Sequence, residues 1–296
     1  MIPLNLLWAL RFPQDARKKI MTVLHGYIDD SIGGNIFVLT CLQGEIGMWL
    51  SIDLEWRKML DKVNKRLRRQ GRREISRYHA TDCQNFRNDF EGWAEDEQIE
   101  LVKEILKIIK GGSFHVNAYS VDLKQLQEEI PETKANPKAF AYVFLLMFLM
   151  LEMCDGTLRR HKDAIMGLTH DHCDYDAAMQ EAFQYMLDDE GFRCRDRFTS
   201  LTPERWQNCI PLQPVDLFAY ENYKEALRRK QLSRRKRRTP LRLLLDDQPK
   251  SLGGNLKGLN RANLRHFKKT TLANMDEATK EKLFAIARIK TKKAKA

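Results

Sequence analysis

A chain of 296 residues, 43% hydrophobic and 9% aromatic, is long enough for one large core or two small ones and too apolar to be disordered. Lys and Arg number 51 against 40 Asp and Glu, a formal net charge of +11, which fits either a generally cationic surface or a polyanionic partner. Six scattered cysteines with no C-x-x-C pair argue against a structural zinc module and a small disulfide scaffold, and predict reduced thiols in the cytoplasm.

The N-terminal apolar stretch has its positive charges after it and no small-residue cleavage site, so it does not read as a signal peptide. From Met21 to Cys41 the pattern is strand, turn, strand, with DSIGGN as the turn. Trp49, Ile52, Trp56, Leu60, Val63 and Leu67 then recur at helical spacing up to Gly71. A second helix is predicted over Glu95–Lys110, and SFHVNAYSV alternates as a third strand. Pro137 opens an apolar helix whose unbroken run, Ala139–Leu151, is 13 residues long. That is short of the roughly 20 a membrane span needs, so a core helix and no membrane role are expected. AIMGLTHD follows as a short buried strand, then a helix over Asp176–Asp188, a strand near Phe198–Leu201, and a helix from about Pro214 to Lys230.

Beyond that helix the composition becomes basic, then Gly-rich in SLGGNLKG, then helical, ending in a Lys-rich tail. This places one domain at about 20–232 and a basic helical C-terminal appendage at 233–296. The element order predicts an α/β fold with a mixed central sheet flanked by helices. No G-x-G-x-x-G or P-loop follows any strand, which disfavours a doubly wound nucleotide-binding fold.

Three acidic positions fall at predicted element ends. Asp29, with Asp30 beside it, closes the first strand, Asp171 closes AIMGLTHD, and Asp216 sits in the first turn of the late helix. Singly, each has an ordinary explanation: a turn-forming Asp, a strand-end surface residue, a helix-dipole partner. Together they offer an all-oxygen site of the kind that selects Mg2+ or Mn2+. His170, His172, Cys173 and Asp174 crowd around Asp171, although strand alternation splits neighbours between faces.

The succession YIDDS (Tyr27–Ser31), YHATD (Tyr78–Asp82), LTHD (Leu168–Asp171) and PLQPVDLFAYENYK (Pro211–Lys224) resembles the domain-of-unknown-function family thirty-eight-hundred, an RNase H-like group of bacteria and phages. The resemblance implies an RNase H-like sheet with Asp29, Asp30, Asp171 and Asp216 as metal ligands. Gln213 matches the Gln of the family's Q-x-x-D-L-x-A helix, three residues before the last acid, and His79 is a proton shuttle, a ligand or a packed histidine. Two departures stand out: Asp30 replaces the family's usual Glu, and the Gly that commonly follows the Ser is displaced to Gly33.

Two basic clusters complete the reading. Lys65 to Arg77 lies at a helix C-terminus, where cations complement the dipole. Arg228–Arg238 holds eight cations in eleven positions with no acid, which marks Arg228, Arg229, Arg234, Arg235, Lys236, Arg237 and Arg238 as candidate nucleic-acid contacts. The expected function is a divalent-metal-dependent nuclease on DNA or RNA. The alternatives are an inert nucleic-acid-binding protein and a phage- or defence-associated protein with a specific RNA substrate.

Overall fold

The computed structural model describes residues 22–231, 238–240 and 253–286. VLHGYIDDSIG and IFVLTCLQGE pair as a hairpin, β1 (Val23–Gly33) and β2 (Ile36–Glu45), joined by the two residues Gly34 and Asn35. Gly34 has φ of +57°, a left-handed conformation that side chains resist. The turn is therefore tighter than DSIGGN, and Asp29 and Asp30 lie inside β1 rather than at its end.

β3 (His115–Asp122) continues the meander antiparallel to β2. β4 (Ile165–Asp171) adds to the other side of β1 in parallel, and β5 (Phe198–Glu204) adds in parallel to β4. A last strand, β6 (Gly253–Leu259), pairs in parallel with β3, giving the order β5-β4-β1-β2-β3-β6. The chain is thus α/β, with a six-stranded mixed sheet between helices.

Helices α1 (Ile46–Arg69), α2 (Ala80–Asn85) and α3 (Glu95–Lys110) precede β3, and α4 (Leu123–Glu129) and α5 (Pro137–Met153) follow it. After β4 come α6 (Asp176–Asp188), α7 (Leu212–Lys230), α8 (Arg261–Phe267) and α9 (Glu277–Ile286), with β5 and β6 interleaved. Of the expected stripe on α1, Trp49, Ile52, Trp56, Val63 and Leu67 are buried and Leu60 is partly buried, and they share a core with α3 and α7 on one face of the sheet. The other face packs against α5, α6 and the C-terminal helices.

Helix α5 continues through a π-turn at Cys154–Leu158, so the helical stretch Pro137–Leu158 is 22 residues long. Its length alone therefore does not set it apart from a membrane span, contrary to expectation. Burial does: Phe140, Val143, Leu146, Leu149 and Met150 are each at most 1% exposed inside the second core. An apolar helix covered on several sides is apolar on several sides.

Two further expectations are corrected. SLGGNLKG does not lead into a separate appendage: most of it is strand β6, and Leu264, Phe267, Leu272 and Leu283 share the core of Leu24 and Ile28. The segment 253–286 therefore adds to the same sheet and core instead of forming an appendage. Not all cysteines are thiols either: Cys154 and Cys194 form a disulfide joining the end of α5 to the segment before β5. Cys41, Cys83, Cys173 and Cys209 are free.

Candidate metal centre at the carboxyl end of the β1–β4 pair

The last paired residues of β1 and β4 are Ile28 and His170, so Asp29 and Asp171 come next in line, side by side at the carboxyl end of a parallel pair. Such an edge is a favoured place for sites in α/β sheets. Strand alternation sends Asp29 to the same face as Tyr27, whose ring packs on Trp49 of α1. Helix α7 packs on β1 and β2, with Val215 and Phe218 in that face's core, and carries Asp216. Asp29, Asp30, Asp171 and Asp216 line one cavity of about 460 Å³. Residues separated by most of the chain thus meet at one place.

Local bonds hold each carboxylate. Helix α7 starts at Leu212, so Asp216 is its fifth residue, past the first turn that was expected. Its Oδ2 accepts a 2.7 Å bond from the backbone N–H of Ala80. Gln213, one turn earlier, is 4% exposed, and its Oε1 accepts 2.9 Å bonds from Trp56 Nε1 and the Tyr78 N–H. Asp29 Oδ1 accepts from the Asp30 N–H at 2.8 Å. Asp30 takes a hydrogen bond from the Tyr142 hydroxyl of α5, across the sheet, so it is drawn away from the face that Asp29 shares with α7.

His79 lines the cavity too, with Nδ1 2.7 Å from Asp82 Oδ2. So do Arg77, His172, Arg205, Trp206 and Gln207. The Arg77 guanidinium sits 3.9 Å from the Trp206 ring centroid, a cation–π contact. In the cluster from Lys65 to Arg77, Lys65, Arg66, Arg68, Arg72 and Arg73 sit in ion pairs. Arg77 instead reaches the cavity. Nothing in the local sequence pattern marks Arg77, Tyr142, Arg205 or Trp206 as neighbours of the aspartates.

The electrostatics follow from crowding. Burial pushes the Asp29 carboxyl well above the ordinary range, and the charges of Asp216, Asp30 and Asp171 push it further. Burial raises Asp30 to about 6 against the bond from Tyr142. Burial also raises Asp171, opposed by backbone N–H bonds and Arg77, and Asp216, opposed by His79, Ala80 N–H and Arg77. Among the described residues none of the four carboxylates is in an ion pair. An all-oxygen donor set that is crowded and has no member in an ion pair fits a hard divalent ion such as Mg2+ or Mn2+.

A pH dependence follows. A carboxyl raised in the folded state stabilises the fold below its unfolded value and loses that contribution as pH rises through its folded value. For Asp30 the window is 3.8 to about 6, worth at most about 3 kcal/mol because the site opens to solvent. Metal-free protein should lose this stability between about pH 4 and 7, and Asp30→Asn should flatten the loss. Urea midpoints of both proteins across that range, in chelator, measure it. Mg2+ or Mn2+ should restore stability more at the upper end, where the ligands are ionised.

The arm expected to contact nucleic acid is partly engaged internally. Arg228 and Arg229 pair with buried Glu225, and Arg238 Nε lies 3.2 Å from Glu221. Arg234, Arg235, Lys236 and Arg237 lie outside the described residues.

No family model, curated protein or solved structure matches this chain.

Proposed function

We propose that the chain is a divalent-metal-dependent nuclease of RNase H-like type, acting on DNA or RNA. The observation that carries this is the meeting of Asp29, Asp30, Asp171 and Asp216 in one cavity, none of them in an ion pair among the described residues. The antiparallel meander extended by parallel strands on its β1 side supports the RNase H-like reading, as do acids on the first strand, a later strand and a closing helix.

A pair of divalent ions at such carboxylates supplies an activated water and stabilises the leaving oxygen of a phosphodiester. Asp29, Asp171 and Asp216 are the ligands from the α7 face, and Asp30, oriented by Tyr142, completes the set from the other. His79 has Nδ1 beside Asp82, which leaves Nε2 to take or give a proton. Arg77 and Arg205 are in no ion pair among the described residues and line the same cavity, where a scissile phosphate and its neighbours need cations. Trp206 offers a face for an unstacked base.

Incubating the purified chain with labelled DNA and RNA panels in Mn2+, Mg2+ or chelator tests the proposal. Cleavage that chelator abolishes supports it. Binding without cleavage in either metal leaves an inert nucleic-acid-binding protein.

A second expectation concerns affinity. Arg77→Gln and Arg205→Gln should each weaken binding across sequences and reduce the log–log salt slope by about 0.7 on single strands or 0.9 on duplex. Trp206→Ala should cost about 1–3 kcal/mol on single strands only. Binding titrated against salt for the three variants separates these contributions. Unchanged slopes in both Arg variants would place the phosphates elsewhere.

A further inference from the structure

The turn from β4 into α6 holds a second cluster, on the opposite side of the strand from Asp171. A ring nitrogen of His170, Cys173 Sγ and a carboxylate oxygen of Asp176 all lie within 4.8 Å of one another. His170 is 2% exposed and Asp176 6%. Their spacing, H-x-x-C-x-x-D, brings the strand end, the turn and the first residue of α6 to one point.

A hydrogen-bonded turn explains part of this arrangement. Asp176 Oδ1 accepts from the Cys173 N–H at 2.8 Å, and its Oδ2 meets His172 Nδ1. It reaches His170 only loosely, with Nδ1 3.7 Å from Asp176 Oδ1, beyond hydrogen-bond distance. The same Nδ1 lies 3.0 Å from the Asp171 carbonyl oxygen and so is the protonated, donating nitrogen. The lone pair then falls on Nε2, which is buried without a partner among the described residues. A bare buried acceptor is costly, and a ring nitrogen fixed by a backbone carbonyl on its other side is the usual setting of a metal-binding histidine.

We propose that His170, Cys173 and Asp176 form a zinc site, its fourth position taken by solvent or by the half-exposed His172. Imidazole, thiolate and carboxylate together select Zn2+ over the hard ions suited to the neighbouring aspartates. Tetrahedral ligation at 2.0–2.3 Å places ligand atoms about 3.3–3.8 Å apart, so a cluster spread over up to 4.8 Å closes on the ion as it binds. On binding, the Cys173 thiol proton passes to solvent and its sulfur bonds to the metal. The site would tie the end of β4, where Asp171 stands, to α6, and it does not depend on the nuclease reading.

The test uses the full chain, stripped with chelator and reduced, then titrated with Co2+ and followed by absorption. One equivalent should produce a thiolate-to-cobalt charge-transfer band in the near ultraviolet, which Zn2+ abolishes by displacement. Cys173→Ser should remove the band, and Cys173→Ser and His170→Asn should each weaken Zn2+ binding at least about 100-fold, more than loss of an outer hydrogen-bond partner costs. Asp29→Asn should keep the band, which separates this site from the aspartates. A wild-type chain without the band overturns the proposal, as does a band that survives Cys173→Ser. If Cys173→Ser is insoluble, His170→Asn decides: wild-type zinc affinity in that variant overturns the proposal and its loss supports it.

Discussion

Asp29→Asn, and separately Asp171→Asn, should lower metal-dependent cleavage at least about 100-fold while the fold stays intact. Amide replaces carboxylate at nearly constant volume, so packing hardly changes, while the charge that holds a cation is lost. The two residues are adjacent in the register at the β1–β4 edge, and each acts on the same cavity. Stability should respond in the opposite sense to activity. In metal-free protein at neutral pH, Asp29 is crowded by Asp216, Asp30 and Asp171, so Asp29→Asn removes repulsion and should raise the melting temperature. With Mg2+ or Mn2+ present the wild type should gain more than the variant, because only the wild type keeps the full ligand set. Cleavage rates and melting curves with and without metal give four comparisons per variant. Full activity in both variants would move the chemistry away from this edge. Lost activity with a collapsed melting transition would make Asp29 a structural residue.

The parts legible in the sequence are those where one local pattern dominates. The 3.6-residue stripe of Trp49, Ile52 and Trp56 marks α1, and Pro137 before an apolar run marks α5. Asp29, Asp171 and Asp216 could be named in advance because each stands near the end or beginning of a readable element. That they share a cavity is a property of strand order, which local pattern does not encode. β6 was hidden for a related reason. GGNLKGL has little intrinsic strand preference, and it is a strand because the open edge of β3 offers a ladder to pair with. Tyr142 was hidden inside an apolar run, where nothing distinguishes a hydroxyl aimed at Asp30 from another core aromatic. The Arg228–Arg238 run looks unpaired only in isolation, since the acid that Arg228 and Arg229 meet, Glu225, lies just before it in the chain.

Gln213→Ala should destabilise the fold by about 2–5 kcal/mol, a large effect for a side chain that touches no substrate. Its single carbonyl oxygen accepts from both the indole N–H of Trp56 and the backbone N–H of Tyr78. Trp56 is 0% exposed and Tyr78 1%, so water has little access to either donor. Removing the amide leaves two buried donors without partners, at about 1–3 kcal/mol each. Trp56→Phe removes one donor and leaves the amide its second bond, so the bond itself contributes only about 0.5–1.5 kcal/mol to that variant's loss, beside the packing cost of a smaller ring. The two losses should not add, because both variants break the same Trp56–Gln213 bond; the double variant should be less destabilised than the sum by about 0.5–3 kcal/mol. Activity should also fall in Gln213→Ala. The Tyr78 amide that Gln213 holds is two residues from the Ala80 N–H that orients Asp216, with His79 between them. Loosening Tyr78 therefore moves a candidate ligand and a candidate proton carrier together. Urea unfolding of the metal-free proteins reads the stability, with an unchanged m-value as the check that the unfolded reference is the same. A loss below about 1 kcal/mol would mean that the donors find water, and that the α1–α7 contact at this point rests on packing alone.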